Sequence, residues 1–173
     1  MKSIIILSGP VGAGKSTIAP ELVKLLPGPV VYIEGDKFWG FMAKDWEEFS
    51  LKENFTVTIR SMTVATIPYA RAGYSVILDF SIPPWYLAAV KKILEARDIP
   101  LDYVVLKPDV KICEARAANR CEGQITDYGR YQKLYDSFKD VERYTIPNDD
   151  TDAATVAQQI AEGLNEGIFR VKD

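Results

Sequence analysis

Ile4-Ile5-Ile6-Leu7-Ser8-Gly9-Pro10-Val11-Gly12-Ala13-Gly14-Lys15-Ser16-Thr17 is the stretch on which the fold turns. An apolar run of strand length leads into Gly9 to Ser16, which match G-x-x-x-x-G-K-[ST] in full, and a segment of helical length, Lys15 to Leu26, follows. Strand, glycine loop and helix are the context this motif requires. The glycines let backbone N–H groups turn inward at the positive end of a helix, where phosphate oxygens meet a ring of donors. Lys15 adds a mobile charge for the β and γ phosphates, and the Ser16 hydroxyl suits magnesium. Gly9, Pro10, Val11, Gly12, Ala13, Gly14, Lys15, Ser16 and Thr17 are therefore the candidate nucleotide contacts.

Working outward, buried-strand runs recur at Val30 to Glu34, Ser75 to Asp79, Tyr103 to Lys107 and, weakly, Arg143 to Ile146, with helical lengths between them. This alternation predicts an α/β, three-layer fold: a five-stranded parallel sheet joined by right-handed crossovers and flanked by helices. Phe55 to Ile59 alternate like a strand, yet Phe55, Ile59, Met62, Thr66 and Tyr69 share a helical stripe, and the segment to Gly73 is too long for one strand. It is expected to be helical. Pro20 and Pro68 fall inside predicted helices, where each should remove a hydrogen bond at a cost of about 3 kcal/mol.

The 173 residues, 47% hydrophobic and 26% charged, suit one globular domain spanning 1–173. No apolar run reaches the roughly 18 residues of a membrane span. The N-terminal run stops at Ser8-Gly9-Pro10, too short for a signal peptide, and is expected to be a buried strand of a cytoplasmic protein. Histidine is absent, which removes Ser-His, Cys-His and His-metal chemistry and leaves carboxylates, lysine, arginine and a bound metal. Cys113 and Cys121, on one predicted helix, form no zinc or disulfide framework and are expected to be small semi-buried residues. A net charge of −3 without a basic block disfavours a nucleic-acid surface.

Beyond the loop, three features point to phosphoryl transfer. Val30 to Ile33, followed by Glu34-Gly35-Asp36, is a strand delivering an aspartate at its carboxyl end, where ligands of open parallel sheets bind. Asp36 would orient an acceptor hydroxyl and take its proton; alternatively it belongs to a turn or a helix cap. Val76-Ile77-Leu78-Asp79 has the form of a magnesium-holding strand end, with capping of the helix near Pro84 as the other reading of Asp79. Arg116 and Arg120, four apart and so on one helical face, precede a polar loop, Glu122 to Arg130. Cations and a closing flap of this kind, about 119–130, would neutralise and shield a transferring phosphoryl group. No N-K-x-D guanine-reading tetrapeptide is present.

With these residues in order, the chain resembles the small P-loop kinases of the shikimate, gluconate and adenylate kinase superfamily, and most closely the chloramphenicol phosphotransferases. The second likeness rests on the first strand and loop, on Leu26-Pro27-Gly28-Pro29 through Ile33-Glu34-Gly35-Asp36, and on Ala70-Arg71-Ala72-Gly73 before Val76 to Asp79. The resemblance implies ATP and Mg²⁺ as cofactors and the hydroxyl of a small molecule as acceptor. It implies Asp36, Lys15 and Arg120 as catalytic, Arg116 near the adenine, and Arg60 and Arg130 as substrate-binding beside Asp36. Magnesium would fall to Ser16 and Asp79, and the loop Pro147 to Thr151 would border the base. The region about 37–60 would bind the acceptor; its Phe38, Trp39, Phe41, Met42, Trp46 and Phe49 either line a pocket for an apolar alcohol or form a small core. A nucleoside, nucleotide or polynucleotide-end kinase is the alternative enzyme, and an ATP-binding regulatory or toxin-like module the alternative outside enzymes.

Overall fold

The structure is a computed structural model and describes residues 3–121 and 123–172. Met1 and Lys2 of the N-terminal run, and Glu122 of the expected flap, lie outside the described residues.

Five strands form one parallel sheet: β1 (Ile4–Ser8), β2 (Val30–Glu34), β3 (Ser75–Asp79), β4 (Leu101–Leu106) and β5 (Thr145–Ile146), in the order β2-β3-β1-β4-β5. β1, the most apolar run, lies at the centre with every residue buried, as a strand covered on both faces must. The fold expected from the alternation is the fold observed. β4 begins two residues before the expected Tyr103, and β5 keeps only the last two residues of its weak run.

Helices cover both faces. Ile5 and Leu7 of β1 meet Ile18 and Leu22 of α1 (Lys15–Leu25) and Val156 and Ile160 of α7 (Ala153–Glu166). Ile4 and Ile6 point the other way, toward Ile59 and Met62 of α3 (Leu51–Arg71) and Val90 and Leu94 of α4 (Leu87–Glu95). This even–odd division is the period of a strand with two apolar faces. Short α2 (Gly35–Trp39) follows β2, while α5 (Val110–Ala118) and α6 (Gln132–Asp136) lie between β4 and β5.

The ambiguous segment from Phe55 is helical. Ser50 opens α3 with a reciprocal cap: its hydroxyl accepts from Glu53 N at 3.2 Å, and its own N–H donates to the Glu53 carboxylate at 2.9 Å. Pro20 and Pro68 do lie inside α1 and α3. Both are on exposed faces, and the residues four positions earlier, Ser16 and Val64, are exposed too. Cys121 corrects the sequence expectation: α5 stops at Ala118, capped at Asn119, so Cys113 is buried in the helix and Cys121 is exposed beyond it. Among the described residues no helix is long and apolar enough to cross a membrane.

Candidate active site

A cavity of about 760 Å³ opens at the carboxyl ends of the central strands, large enough for a small-molecule ligand. Its wall contains Val11, Gly12, Gly14, Lys15, Ser16 and Thr17 from the loop and α1, Glu34 and Asp36 from β2 and α2, Asp79, Phe80 and Ser81 from the end of β3, and Arg116, Arg120, Asn148 and Thr151.

The loop is braced from outside. Gly12 has φ of 81°, and a Cβ there would run into the backbone carbonyl of Cys113 in α5, so only glycine combines this turn with this approach. The Tyr128 hydroxyl donates to Val11 O at 2.8 Å, and Asn148 Nδ2 donates to Ala13 O at 2.8 Å. Within the loop the Lys15 ammonium spends its three protons on Gly9 O (3.2 Å), Pro10 O (3.1 Å) and Ser81 Oγ (3.0 Å). Burial lowers the Lys15 pKa, and the neighbouring Asp79 and Asp36 carboxylates act in the opposite direction.

Asp79 does not cap the next helix. Its Oδ2 accepts from Ser16 Oγ and from Tyr32 OH, both at 2.9 Å, which ties β3, α1 and β2 together beneath the cavity. Burial pushes the Asp79 carboxyl pKa up, Lys15 and the two hydroxyls oppose this, and Asp36 adds a repulsive contribution. The Tyr32 phenol is raised by its own burial and then by the adjacent Asp79 charge.

Asp36 stands differently. It is exposed in the first turn of α2 and makes no side-chain cap. Among the described residues its carboxylate has no hydrogen-bond or ion-pair partner, while Lys15 and Asp79 feel its charge. Gly35 fixes the turn that delivers it: a Cβ at Gly35 would lie 2.6 Å from the Phe80 side chain, so α2 can sit this close to the end of β3 only with glycine there.

Arg116 donates to Asn148 O (3.0 Å) and Asp149 O (2.9 Å), linking α5 to the loop after β5. Arg120 also borders the cavity, although it lies past the end of α5 and not on the helical face expected for it. The structure therefore brings together Lys15, Ser16, Thr17, Asp36, Asp79, Arg116 and Arg120. Arg60 and Arg130 are not in the wall: Arg60 is exposed on α3, and Arg130 pairs with Asp127 at 3.2 Å on the surface. The aromatic residues divide. Phe38 packs on the core, and Trp39 lies 6.2 Å from Trp46 and 6.3 Å from Phe55, between ring centroids. Phe41 and Phe49 are 72% and 59% exposed, so packing accounts for only part of the cluster.

Sequence reasoning passed over Tyr32 and Ser81. Tyr32 alternates with the apolar residues of β2 and looks like core; Ser81 lies just past β3, where no periodicity marks it.

A family model described as an AAA domain matches residues 4–129, most of the chain. The chain belongs to the AAA_33 family. No curated protein matches it. Among solved structures, this AAA_33 member is similar to a sugar kinase from Janibacter sp. HTCC2649 (17% identity, 95% of each chain covered, TM-score 0.73). It is similar to an APS kinase from Mycobacterium tuberculosis in complex with AMPPNP and APS (18% identity, 95% of this chain and 98% of that one, TM-score 0.74). It is also similar to a shikimate kinase from Acinetobacter baumannii in complex with shikimate (21% identity, 96% and 95%, TM-score 0.64). Likeness at these identities speaks for the fold.

Proposed function

We propose that this AAA_33 member is an ATP-dependent kinase that moves the γ-phosphoryl group of ATP to a hydroxyl of a small molecule. The observation that carries the proposal is the unpartnered Asp36 carboxylate in the wall that also holds the Lys15 ammonium. Binding a nucleotide needs no such group across from the loop; phosphoryl transfer does, because the attacking hydroxyl must be oriented and relieved of its proton. The sugar kinase, APS kinase and shikimate kinase that share this fold support the same class.

In this reading the N–H groups of Gly12 to Lys15 hold the phosphates at the start of α1, and Lys15 leaves the Gly9 and Pro10 carbonyls for the β and γ oxygens. Arg116 lies toward the base, and Arg120 closes on the phosphates with a lid of about 119–130. The donor set fits a metal carried mainly by the nucleotide: Ser16 and Asp79 offer one hydroxyl and one carboxylate, and among the described residues no group of three acidic or thiol ligands forms a protein cage. Mg²⁺ held by these two residues would neutralise charge on the β and γ phosphates. Asp36 accepts the acceptor's hydroxyl proton as the oxygen–phosphorus bond forms; the bond to the β–γ bridging oxygen breaks, and its electron pair leaves with ADP.

Residues about 37–60 are proposed to receive the acceptor within a single unit spanning 1–173. Phe41 and Phe49, exposed but outside the cavity wall as it stands, would on movement toward it favour an apolar or aromatic alcohol, in keeping with the resemblance to chloramphenicol phosphotransferases. Arg60 and Arg130 could join the acceptor only after movement, since neither borders the cavity as it stands. A thermal-shift panel of alcohols with a non-hydrolysable ATP analogue, followed by ADP release assays on the hits, tests the proposal. At least one alcohol should stimulate ADP release by wild type and not by Lys15→Ala, whereas stimulation that survives Lys15→Ala would contradict it.

A further inference from the structure

The chain leaving β3, Asp79-Phe80-Ser81-Ile82, is tied to the sheet through one residue. The Ser8 hydroxyl, at the end of β1, donates to Ile82 O at 2.9 Å and accepts from Ile82 N at 3.0 Å, and the Tyr103 hydroxyl of β4 donates to the same carbonyl at 2.7 Å. Ser8, Tyr103 and Ile82 are fully buried. Hydrogen bonds in a dry interior hold their groups in place firmly, so these three set the position of the adjacent Ser81.

Ser81 stands in the cavity wall and accepts from the Lys15 ammonium at 3.0 Å. The other two acceptors of that ammonium, Gly9 O and Pro10 O, are carbonyls with nothing to donate. A hydroxyl also carries a proton. Among the described residues the Ser81 proton has no acceptor. A hydroxyl on an anchored backbone beside a lysine, at the edge of a phosphate loop, can turn its proton to an anionic oxygen. The loop N–H groups and the start of α1 serve the inner phosphates. Ser81 belongs to the wall that contains Asp36, where the outermost phosphoryl group must face its acceptor.

We infer that Ser81 reads the terminal phosphoryl group of the bound nucleotide, donating to it while Lys15 exchanges its loop carbonyls for phosphate oxygens. The inference rests on the proposed ATP site and goes beyond it by giving a residue outside the loop the task of telling triphosphate from diphosphate. The test is calorimetric titration of wild type, Ser81→Ala and Ser81→Thr with a non-hydrolysable ATP analogue and with ADP, each with magnesium. Ser81→Ala should bind the ATP analogue about 10-fold or more weakly, as for loss of a hydrogen bond to a charged group, and ADP within about 2-fold of wild type. Ser81→Thr, which keeps the hydroxyl, should restore the difference. Equal loss of both nucleotides in Ser81→Ala, loss of neither, or a threonine variant that behaves like alanine would overturn the inference and leave the kinase proposal standing. Failure of wild type to bind either nucleotide would remove both.

Discussion

Asp36 and Asp79 are both strand-end aspartates near Lys15, yet their surroundings differ: one is exposed and the other buried. Asp36 is exposed and has no partner among the described residues, so Asp36→Asn keeps size and turn preference while removing the proposed base. Acceptor-dependent turnover should fall by about 10²- to 10⁴-fold with ATP affinity nearly unchanged. A capping or turn role would leave turnover at the wild-type level, since Asn serves both purposes. Asp79 is buried, and its folded pKa lies above its unfolded value. Between those two values the folded state keeps a proton that the unfolded state has lost, so stability falls as pH rises through that window. Asn at this position can still accept from Ser16 and Tyr32 and carries no charge. Asp79→Asn should therefore raise the Tm of the nucleotide-free protein at pH 7, and the gain should vanish as pH falls toward the ordinary aspartate value of about 3.9. Melting curves at several pH values check this; a lower Tm at pH 7 would mean that the carboxylate stabilises the fold.

At the scale of elements, the junction between β2 and α2 depends on Gly35. Gly35→Ala should destabilise the protein by about 1–3 kcal/mol through the clash with Phe80, measured by urea unfolding, and should displace Asp36. A silent substitution would show that α2 has room to shift. β1, β3, β4 and the loop were legible because a strand buried on both faces leaves a largely apolar run; the half-buried edge strand β2 was legible because Val30, Val31, Tyr32 and Ile33 still form one. The helix from Leu51 was legible only in part: Phe55 to Ile59 fit both periods, whereas Ser50 and Glu53, spaced as a capping box, mark its start and went unread. Most of the candidate site was visible as strand-end acids and loop residues. The end of α5 was not, since nothing in Arg116-Ala117-Ala118-Asn119-Arg120 breaks a helix. Tyr32 and Ser81 act through contacts across 47 and 66 residues of chain, which no local pattern encodes.

At the scale of the whole molecule, the proposed lid of about 119–130 is tied back at Ile125, whose N–H donates to Ala117 O at 3.1 Å. Tyr128 is buried and bonded to Val11 O, so the far end of the proposed lid is fastened to the phosphate loop, while Gly123, Gln124 and Thr126 are exposed. Hydrogen exchange should show nucleotide-dependent protection over 123–127 and protection in both states at 128–131; equal exchange of the first segment with and without nucleotide would count against closure. Transfer of the phosphoryl group itself is what separates a kinase from a module that only holds ATP. ATP labelled in its γ-phosphate, incubated with the protein, magnesium and the alcohols that shift its melting, tests it most directly: label should appear on an alcohol, and this should require both Lys15 and Asp36. Label released only as inorganic phosphate, or transferred equally well by the Asp36→Asn protein, would contradict it.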